Sequence, residues 1–542
     1  MDRLPPTGAP SAASRTERRR EWLPAWWVGV LPLIVLSGLT CGFYARGELV
    51  DDAFIFFRYA ANVLAGHGVV FNPGERVEGY TSALWLMSLI VTGVAHVDPE
   101  LAVRVLGSLL AVAGVIVTAR FPVASEARGD RWGAWGAAAL LALSQPYHLW
   151  AVHGLETAMF TLLVALGVRG DVRDMRRGAT ASATPLWHCL AALTRPEGAL
   201  FFVMHLVRRV ASATTARERL AAFRSCVPFA ATVGVQIALR FAYYGDVVPN
   251  TFHTKVGFTP AVAARGLAYA GGFFVDWRAS IFLLLIPAFW AARARRDLRY
   301  VSSVCAVYVA AIIAEGGDAF PAFRFLVPIL PMIYLLVAEG ASTLVPLAAR
   351  WTTPRVAPWC VGVLVAALAI PHVQQGFVEA REEVEGANAF TGAMKEVGRA
   401  LRDRVAPGTV IALNPVGAVP YFSELRTIDM LGLTDRHIAN TTPADLGEGQ
   451  SGHEKGDGRY VLERRPDLIL LGNVFLTDQR PASLDRMVWP VTGRSEIEIT
   501  QQPELSSLYA RDGVMLRDGL YFLFLRRRDV TIPGSLSGSP VP

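Results

Sequence analysis

Residues 101–120 read LAVRVLGSLLAVAGVIVTAR, an apolar run with one internal arginine. A helix of this length measures about 30 Å, which is the thickness of the hydrocarbon core of a bilayer. Comparable runs recur along the first 375 residues, and the chain is 52% hydrophobic with only 18% charged residues. This composition excludes an ordinary soluble protein and predicts a polytopic α-helical membrane protein.

The other runs of this kind predict further membrane-spanning helices. We expect them at about 26–44, 133–150, 155–168, 222–243, 266–291, 299–314, 322–346 and 356–374. Two further apolar stretches are assigned differently. The stretch 81–97 is expected to lie along or dip into the membrane without crossing it, and 186–208 to form a hairpin that turns near Arg195 to Gly198. These assignments predict eleven crossings.

The distribution of basic residues predicts the orientation. The basic tail at 1–24 and the apolar run 26–44 that follows it resemble an uncleaved anchor rather than a signal peptide. The tail and the loops assigned to the cytoplasm together hold 23 Arg. The short loops assigned outside hold about 10 Arg and Lys, which places the N-terminus in the cytoplasm and the C-terminus outside the bacterial inner membrane. The net charge of +6 therefore reflects topology, and no nucleic-acid partner is expected.

The composition changes near residue 376, after the predicted transmembrane domain at 25–375. Strand-like segments follow, for example 409–413 and 467–471. We therefore predict a mixed α/β extracytoplasmic domain at 376–530 and a disordered tail, rich in Pro, Gly and Ser, at 531–542.

The five cysteines do not form a disulfide framework in a chain of this length. All lie in or beside apolar stretches and are predicted to be buried thiols: Cys41, Cys189, Cys226, Cys305 and Cys360.

The first external loop carries the strongest candidate for chemistry. Asp51 and Asp52 begin a predicted amphipathic helix, in which Phe54 and Phe57 are expected to face lipid. Arg58 lies seven residues after Asp51 and so on nearly the same helix face. Acids at a helix start also cap free N–H groups, so a structural role stays open. One acid suffices for a cap, however, and a second charge near the headgroups is costly, which favours a functional role.

Further polar residues fall at membrane boundaries on the same predicted side. They are His153, Glu156, Arg195, Glu197, Lys255, Glu315, Asp318 and Arg324. Taken singly, Glu156 is also explained as a helix-start acid, and Arg195 and Glu197 as a turn whose charges pair. Taken together, these residues predict a lined cavity in which a carboxylate abstracts a proton and Arg and Lys hold an anion. No metal-ligand or nucleotide motif is found, so no metal site is predicted.

Seven motifs carry a resemblance. They are DDAFIFFRYAANVLAGHGVVFNPGERVEGYTSALW at 51–85, HGLETAMF at 153–160, LTRPEG at 193–198, YYGDVVPNTFHTK at 243–255, GGDAFPAFRFLVP at 316–328, TIDMLGLTDRHIA at 427–439 and GHEKGDGRYVLERRPDLI at 452–469. In order and spacing they resemble the terminal arabinofuranosyltransferase family. More distantly they resemble the GT-C class of integral-membrane glycosyltransferases that use polyprenyl-phosphate sugars.

The resemblance implies an acidic base in the first external loop, here Asp51 with Asp52 as its neighbour. It implies a polyprenyl-phosphate-sugar donor and a cell-envelope glycan acceptor, with arabinofuranose as one candidate sugar. For the donor phosphate we expect Lys255 and Arg324 as ligands, helped by Arg58 or Arg195. No cofactor is predicted, and a divalent cation stays open as an alternative.

Two other functions stay open. A lipid-linked-sugar flippase or transporter predicts polar residues at mid-membrane depth, whereas here most fall at one interface. A non-enzymatic membrane factor is the second. In the outer domain, four polar residues are explained better as surface turns than as a site: Asp429, Asp435, His437 and His453. The domain itself is interpreted as a lid or acceptor-binding module.

Overall fold

The computed structural model describes residues 29–122, 132–179, 182–255, 257, 259–275, 279–517 and 519–538. The predicted basic tail at 1–24 lies outside these residues. The membrane-domain helices are α1 Gly29–Tyr44, α2 Asp51–Leu64, α3 Ala83–Val94, α4 Pro99–Ala119, α5 Trp132–Leu143, α6 Gln145–Val152, α7 Thr157–Arg177, α8 Thr184–Thr194, α9 Gly198–Ser212, α10 Ala216–Arg224, α11 Cys226–Tyr244, α12 Asn250–Lys255, α13 Pro260–Val275, α14 Leu285–Ala292, α15 Arg296–Glu315, α16 Leu330–Ala348 and α17 Ala357–Arg404. Two 3₁₀ segments, Ala279–Leu284 and Arg324–Ile329, precede α14 and α16.

The described helices have the character of a multi-pass membrane protein. Five are long and apolar enough to span a bilayer, and two bent pairs add up to two more spans. The pair α6 and α7 bends by 120°, and the bend carries His153 and Glu156. With 12 residues, α3 is about 18 Å long and too short to span. The count of eleven crossings stays a prediction.

Close helix contacts hold the membrane domain together. The long helix α16 is packed by α5, α14 and α17. A Cβ on Gly340 of α16 would lie 1.9 Å from the carbonyl oxygen of Leu284, so only glycine permits this approach. Small residues at such crossings let helix backbones pack closely where lipid provides no hydrophobic driving force.

The outer faces of the membrane helices are apolar and exposed. On α11, for example, Val235, Leu239 and Phe241 are exposed. The prediction that every cysteine is buried is wrong at two positions, because Cys360 is exposed and Cys226 is half-buried. An apolar segment of a membrane protein can face lipid, so apolar surroundings in sequence do not imply burial inside the protein.

The outer domain contains one mixed sheet. Its elements are β1 Val410–Leu413, α18 Ala418–Ser423, β2 Arg426–Asp429, α19 Arg436–Ala439, α20 Gly458–Glu463, β3 Leu468–Ile469, β4 Phe475–Thr477, α21 Arg494–Gln501, α22 Leu505–Leu508, β5 Tyr509–Arg517 and β6 Leu520–Arg527. The strand order is β2-β1-β3-β6-β4, with β5 also paired to β6. Strands β1, β2 and β3 are parallel, and β6 runs antiparallel to its neighbours. Both strand candidates from the sequence fall on observed strands, β1 and β3.

Two boundaries differ from the sequence-based prediction. Helix α17 continues for 48 residues through the predicted domain boundary at 375 and 376, because its periodic pattern persists where its surroundings turn polar. Residues 531–538, predicted to be a disordered tail, return to the sheet. Ser535 bridges Val514, and the Ser537 hydroxyl donates to Asp512 Oδ2 at 2.6 Å. Buried Asp512 supplies an anchor that the composition of the segment did not reveal.

The outer domain rests on helix α2. Phe54 and Phe57 lie 5.7 and 5.8 Å from the ring of Tyr421 on α18, and both are fully buried. The expectation that they face lipid is therefore wrong. The apolar face of α2 is covered by protein, and this docking brings α18 to the first residue of α2.

Candidate active site

A cavity of about 630 Å³ lies between the membrane helices and the outer domain. Its walls come from the start of α2, the turn between α8 and α9, α12, the end of α15, α17 and the loops that follow β1, β2 and β3. Its volume is typical of sites for small molecules. Six of the predicted site residues line it on one surface: Asp51, Asp52, Arg195, Glu197, Lys255 and Asp318. Glu315 lines it as well.

The Asp51 carboxylate joins the cavity to the outer domain. The backbone N–H groups of Gly417 and Ala418 donate to its Oδ2 and Oδ1 at 2.9 and 2.8 Å. Asp51 therefore caps the start of α18, a helix of the other domain, with its side chain. Burial raises the pKa of Asp51 to about 7, and the two N–H groups act in the opposite direction. A carboxylate with such a pKa changes its protonation near neutral pH.

Asp52 lines the same cavity beside Asp51. Within the described part of the chain, we find no hydrogen-bond or ion-pair partner for its carboxylate. The two neighbouring acids thus have different environments: Asp51 is oriented by the outer domain, and Asp52 is half-buried in the cavity wall.

Arg195 is neutralised by two acids. It donates to Glu156 Oε1 at 2.8 Å and to Glu197 Oε1 at 2.6 Å, and its guanidinium lies 4.6 Å from the ring centre of Phe325. The pairing of Arg195 with Glu197 fits the alternative reading of the TRPEG turn. Glu156 begins α7 and is not among the cavity-lining residues, since it is bound behind Arg195.

Arg324 is also engaged by a carboxylate. It donates through Nε and Nη2 to the two oxygens of Asp318, at 2.7 and 3.0 Å. Its guanidinium lies 4.3 Å from the ring centre of Phe320. Asp318 lines the cavity, whereas buried Arg324 lies behind it. The expectation that Arg324 contacts a donor phosphate directly is therefore corrected: its charge is used to hold Asp318.

Lys255 differs from both arginines. It ends α12 and lines the cavity next to Gly452, where an added Cβ would lie 3.3 Å from Lys255 Cε. Among the described residues, its ammonium group has no hydrogen-bond or ion-pair partner. Of the cationic side chains among the described lining residues, Lys255 is thus the one whose charge is available to an anion.

Two predicted substrate-binding residues lie elsewhere. Arg58 is buried and donates to the carbonyl oxygens of Phe71, Pro420 and Leu425. These hydrogen bonds connect the first loop to the outer domain, so the predicted phosphate-binding role of Arg58 is not supported. The residue lies on the α2 face that the outer domain covers, which the helix periodicity alone did not reveal.

His153 is buried behind the cavity wall. It is 1% exposed, its ring lies 6.1 Å from that of Trp150, and its carbonyl oxygen accepts from the Val50 N–H at 3.3 Å. The backbone of His153 thus supports the residue before Asp51, and its ring is not among the cavity-lining groups.

Sequence reasoning missed the part of the site that the outer domain supplies. The loop after β1 contributes Asn414 to Val416, and the loop after β2 contributes Leu431 and Leu433. Ligands of parallel sheets bind beyond the carboxyl ends of the strands, and this rule could have directed attention there. Of the four polar outer-domain candidates, His453 lines the cavity. Asp429 is fully buried and accepts from the N–H groups of its own turn, so the surface-turn reading is wrong there.

A second polar cluster was also missed. Buried Asp171 accepts from His188, His205, Arg208 and Tyr300, between 2.5 and 3.1 Å. Among the described residues, one group has three potential metal-ligating atoms within 4.8 Å of one another, and it consists of Asp171 and the two histidines. The carboxylate is already saturated by four donors that include an arginine, which favours a structural network of α7, α8, α9 and α15.

The chain is similar to two curated proteins named terminal β-(1→2)-arabinofuranosyltransferase. It is 28% identical to that of Corynebacterium glutamicum over 379 residues, covering 59% of this chain and 54% of that protein. It is 32% identical to that of Mycobacterium tuberculosis over 252 residues, covering 42% of this chain and 38% of that protein. The chain therefore matches about half the length, or less, of these relatives. A family model described as "Domain of unknown function (DUF8728)" matches residues 379–516.

The fold is similar to that of ArnT from Cupriavidus metallidurans in the apo state. The TM-score is 0.52 at 12% identity, with 94% of this chain and 98% of that chain covered. This likeness confirms the predicted GT-C-like helical fold with a C-terminal outer domain. The resemblance inferred from the motifs is confirmed as well: the chain is similar in sequence to terminal β-(1→2)-arabinofuranosyltransferases and shares the fold of ArnT.

Proposed function

We propose that the protein is a membrane glycosyltransferase that moves a sugar from a polyprenyl-phosphate donor to an extracytoplasmic cell-envelope glycan. The names of the curated relatives favour arabinofuranose as the sugar. The observation that carries the proposal is that one cavity is lined by a carboxylate whose pKa is raised to about 7 and by a cation without a partner among the described residues.

The reaction assigns one task to each of these groups. Asp51 accepts the proton of the acceptor hydroxyl while that oxygen forms a bond to the anomeric carbon of the donor. The bond from the anomeric carbon to the phosphate oxygen breaks, and polyprenyl phosphate leaves with the electron pair. Lys255 neutralises the charge that grows on the phosphate. The donor supplies the driving force, so no nucleotide takes part.

The hydrogen bonds of Asp51 support its role as base. Two N–H donors fix the carboxylate in one orientation, and each oxygen keeps a lone pair for a proton. A base held in this way needs no reorganisation when the acceptor arrives. Asp52 adds negative charge that raises the pKa of Asp51 further.

Substitution of the two groups tests the proposal. Asp51→Asn is expected to lower sugar transfer by about a hundredfold to ten-thousandfold with donor binding retained, since general-base catalysis contributes that much. Lys255→Met is expected to raise the donor KM by about tenfold to a hundredfold, as loss of a charged hydrogen bond would. Both are measured with purified protein, labelled polyprenyl-phosphate arabinofuranose and a synthetic arabinofuranoside acceptor.

Asp403→Asn is the matched control, because this carboxylate is largely exposed and lies outside the cavity lining. Wild-type turnover by Asp51→Asn would refute the base assignment. If the wild type moves the donor lipid across the bilayer without transferring sugar, a flippase is favoured. If it shows neither activity, a non-enzymatic factor is favoured.

A further inference from the structure

Besides Glu197, whose Oε2 has no partner among the described residues, three elements of the cavity wall carry buried side-chain atoms with no hydrogen-bond partner there. They are Thr391 Oγ1 on α17, Asn414 Oδ1 after β1 and Thr251 Oγ1 on α12. The exposed fractions of these residues are only 1%, 3% and 5%. Nearly all buried polar atoms in proteins are hydrogen-bonded, so unpaired ones on residues that line one cavity favour a polar ligand there.

Thr391 lies on the Asp51 side of the cavity. Asn388, Thr391 and Lys395 are spaced by three and four residues and therefore share one face of α17. Asn388 Oδ1 accepts from the N–H of Glu48 at 2.7 Å, and Lys395 binds the Glu48 carboxylate. Since Glu48 is three residues before Asp51, this face of α17 packs on the segment that leads into the proposed base.

Asn414 approaches the same region from the outer domain. Its Nδ2 donates to Glu496 Oε1 at 2.6 Å, and the fully buried Glu496 also accepts from the N–H of Thr492 at 2.7 Å. Because the amide nitrogen faces a carboxylate, the assignment of Oδ1 as the unpaired atom follows from the network. Gly417, three residues later, donates to Asp51. Thr391 and Asn414 thus belong to two segments that contact Asp51 or the residues leading to it, and all three residues line the same cavity.

We propose that Thr391 and Asn414 form the acceptor subsite, in which Asn414 Oδ1 and Thr391 Oγ1 bind hydroxyl groups of the acceptor sugar. The inference rests on the proposed function, because the acceptor hydroxyl has to lie next to the base. The amide oxygen only accepts hydrogen bonds, and the threonine hydroxyl accepts or donates. This pair suits a neutral polyhydroxylated ring better than a phosphate, because Asn414 Oδ1 cannot donate a hydrogen bond to an anion.

Thr391→Val tests the inference with little change of shape. Among the described residues the hydroxyl has no hydrogen-bond partner, so its removal is expected to leave the thermal unfolding temperature unchanged or raised. In the same variant, kcat/KM for the acceptor is expected to fall by about threefold to tenfold, as for one lost hydrogen bond, while the donor KM is unchanged. The probes are polyprenyl-phosphate arabinofuranose and a synthetic arabinofuranoside.

Thr161→Val is the matched control. Thr161 is equally buried, but its hydroxyl donates to the Thr157 carbonyl within α7 and it does not line the cavity. Its kinetic constants are expected to equal those of the wild type. Acceptor analogues that each lack one hydroxyl complete a double-mutant cycle. The analogue that lacks the hydroxyl bound by Thr391 is expected to lose activity with the wild type, and the Thr391→Val substitution is expected to lower its activity no further.

The outcomes separate the two proposals. If the wild type transfers sugar and Thr391→Val keeps its acceptor kinetics, the acceptor subsite is refuted and the function stands. The same conclusion follows if every deoxy acceptor loses the same fraction of activity with the wild type and with Thr391→Val. If the wild type transfers no sugar, the proposed function fails and the subsite fails with it.

Discussion

Asp51 contacts the outer domain and lines the cavity with the same carboxylate. Burial raises its pKa, and the N–H groups of Gly417 and Ala418 limit the rise to about 7. A raised pKa means that the proton is held more tightly, so the ionised base is lost as the pH falls through 7. At pH 6 about a tenth of the carboxylates are ionised, against nearly all for an ordinary aspartate.

This environment predicts the pH dependence of transfer. We expect kcat/KM for the acceptor to be level above pH 8 and to fall about tenfold per pH unit below 7. The measurement is a pH profile of the wild-type enzyme at subsaturating acceptor, with protein stability checked at each pH. A level profile down to pH 5 would mean that a group other than Asp51 with its raised pKa acts as the base.

For individual residues, the sequence predicted which ones line the cavity better than it predicted their hydrogen-bond and ion-pair partners. Asp51, Asp52, Lys255 and Asp318 were predicted to share a cavity, and all four line it. Apart from the pair of Arg195 with Glu197, which the TRPEG turn suggested, the motifs did not predict which charges pair, because an arginine in a loop looks the same whether it binds a ligand or a carboxylate. Arg324 is held by Asp318, a neighbour six residues away that the bends and turns at 319–323 bring into reach.

At the scale of elements, the contact between α2 and α18 connects the outer domain to the chemistry. A Cβ on Gly417 would lie 1.9 Å from the Asp51 carbonyl oxygen and 2.5 Å from its Cγ. Glycine is therefore required for α18 to approach the base. The sequence could not predict this contact, since it joins residues 366 positions apart through two N–H groups.

Gly417→Ala is expected to push α18 away from Asp51. Overpacking at such a contact costs about 1 to 3 kcal/mol of folding free energy. A displacement of the base by about 1 Å lowers kcat by about a hundredfold. Loss of the two N–H donors is also expected to move the pH profile of residual activity upwards. Thermal unfolding and kcat are measured together.

Gly408→Ala is the control for this change, because a Cβ there meets no atom within 4 Å and the position is exposed. It is expected to behave like the wild type. Equal activity of Gly417→Ala and Gly408→Ala would show that the outer domain does not position the base.

At the scale of the whole molecule, hydropathy predicted the class of fold well. The apolar runs correspond to helices, and the polar region after residue 404 forms the mixed sheet. Hydropathy could not predict how the two parts meet, because the cavity is lined by helix ends, by one face of α17 and by the loops that follow the strands. Such loops carry little periodicity, and their positions are set by docking of the outer domain.

The arginine-rich loops and the cavity are expected to lie on opposite sides of the membrane, and accessibility to a membrane-impermeant maleimide tests this arrangement. In a Cys360→Ser background, which removes the exposed native thiol, Glu448→Cys in the outer domain is expected to be labelled in intact cells. Arg177→Cys, at the arginine-rich end of α7, is expected to be labelled only after permeabilisation, because basic segments between spans stay in the cytoplasm. Both positions are exposed, so equal labelling in detergent is the control. The reverse pattern would place Asp51 and Lys255 on the cytoplasmic side, where an extracytoplasmic glycan cannot reach them, and the acceptor assignment would then be wrong.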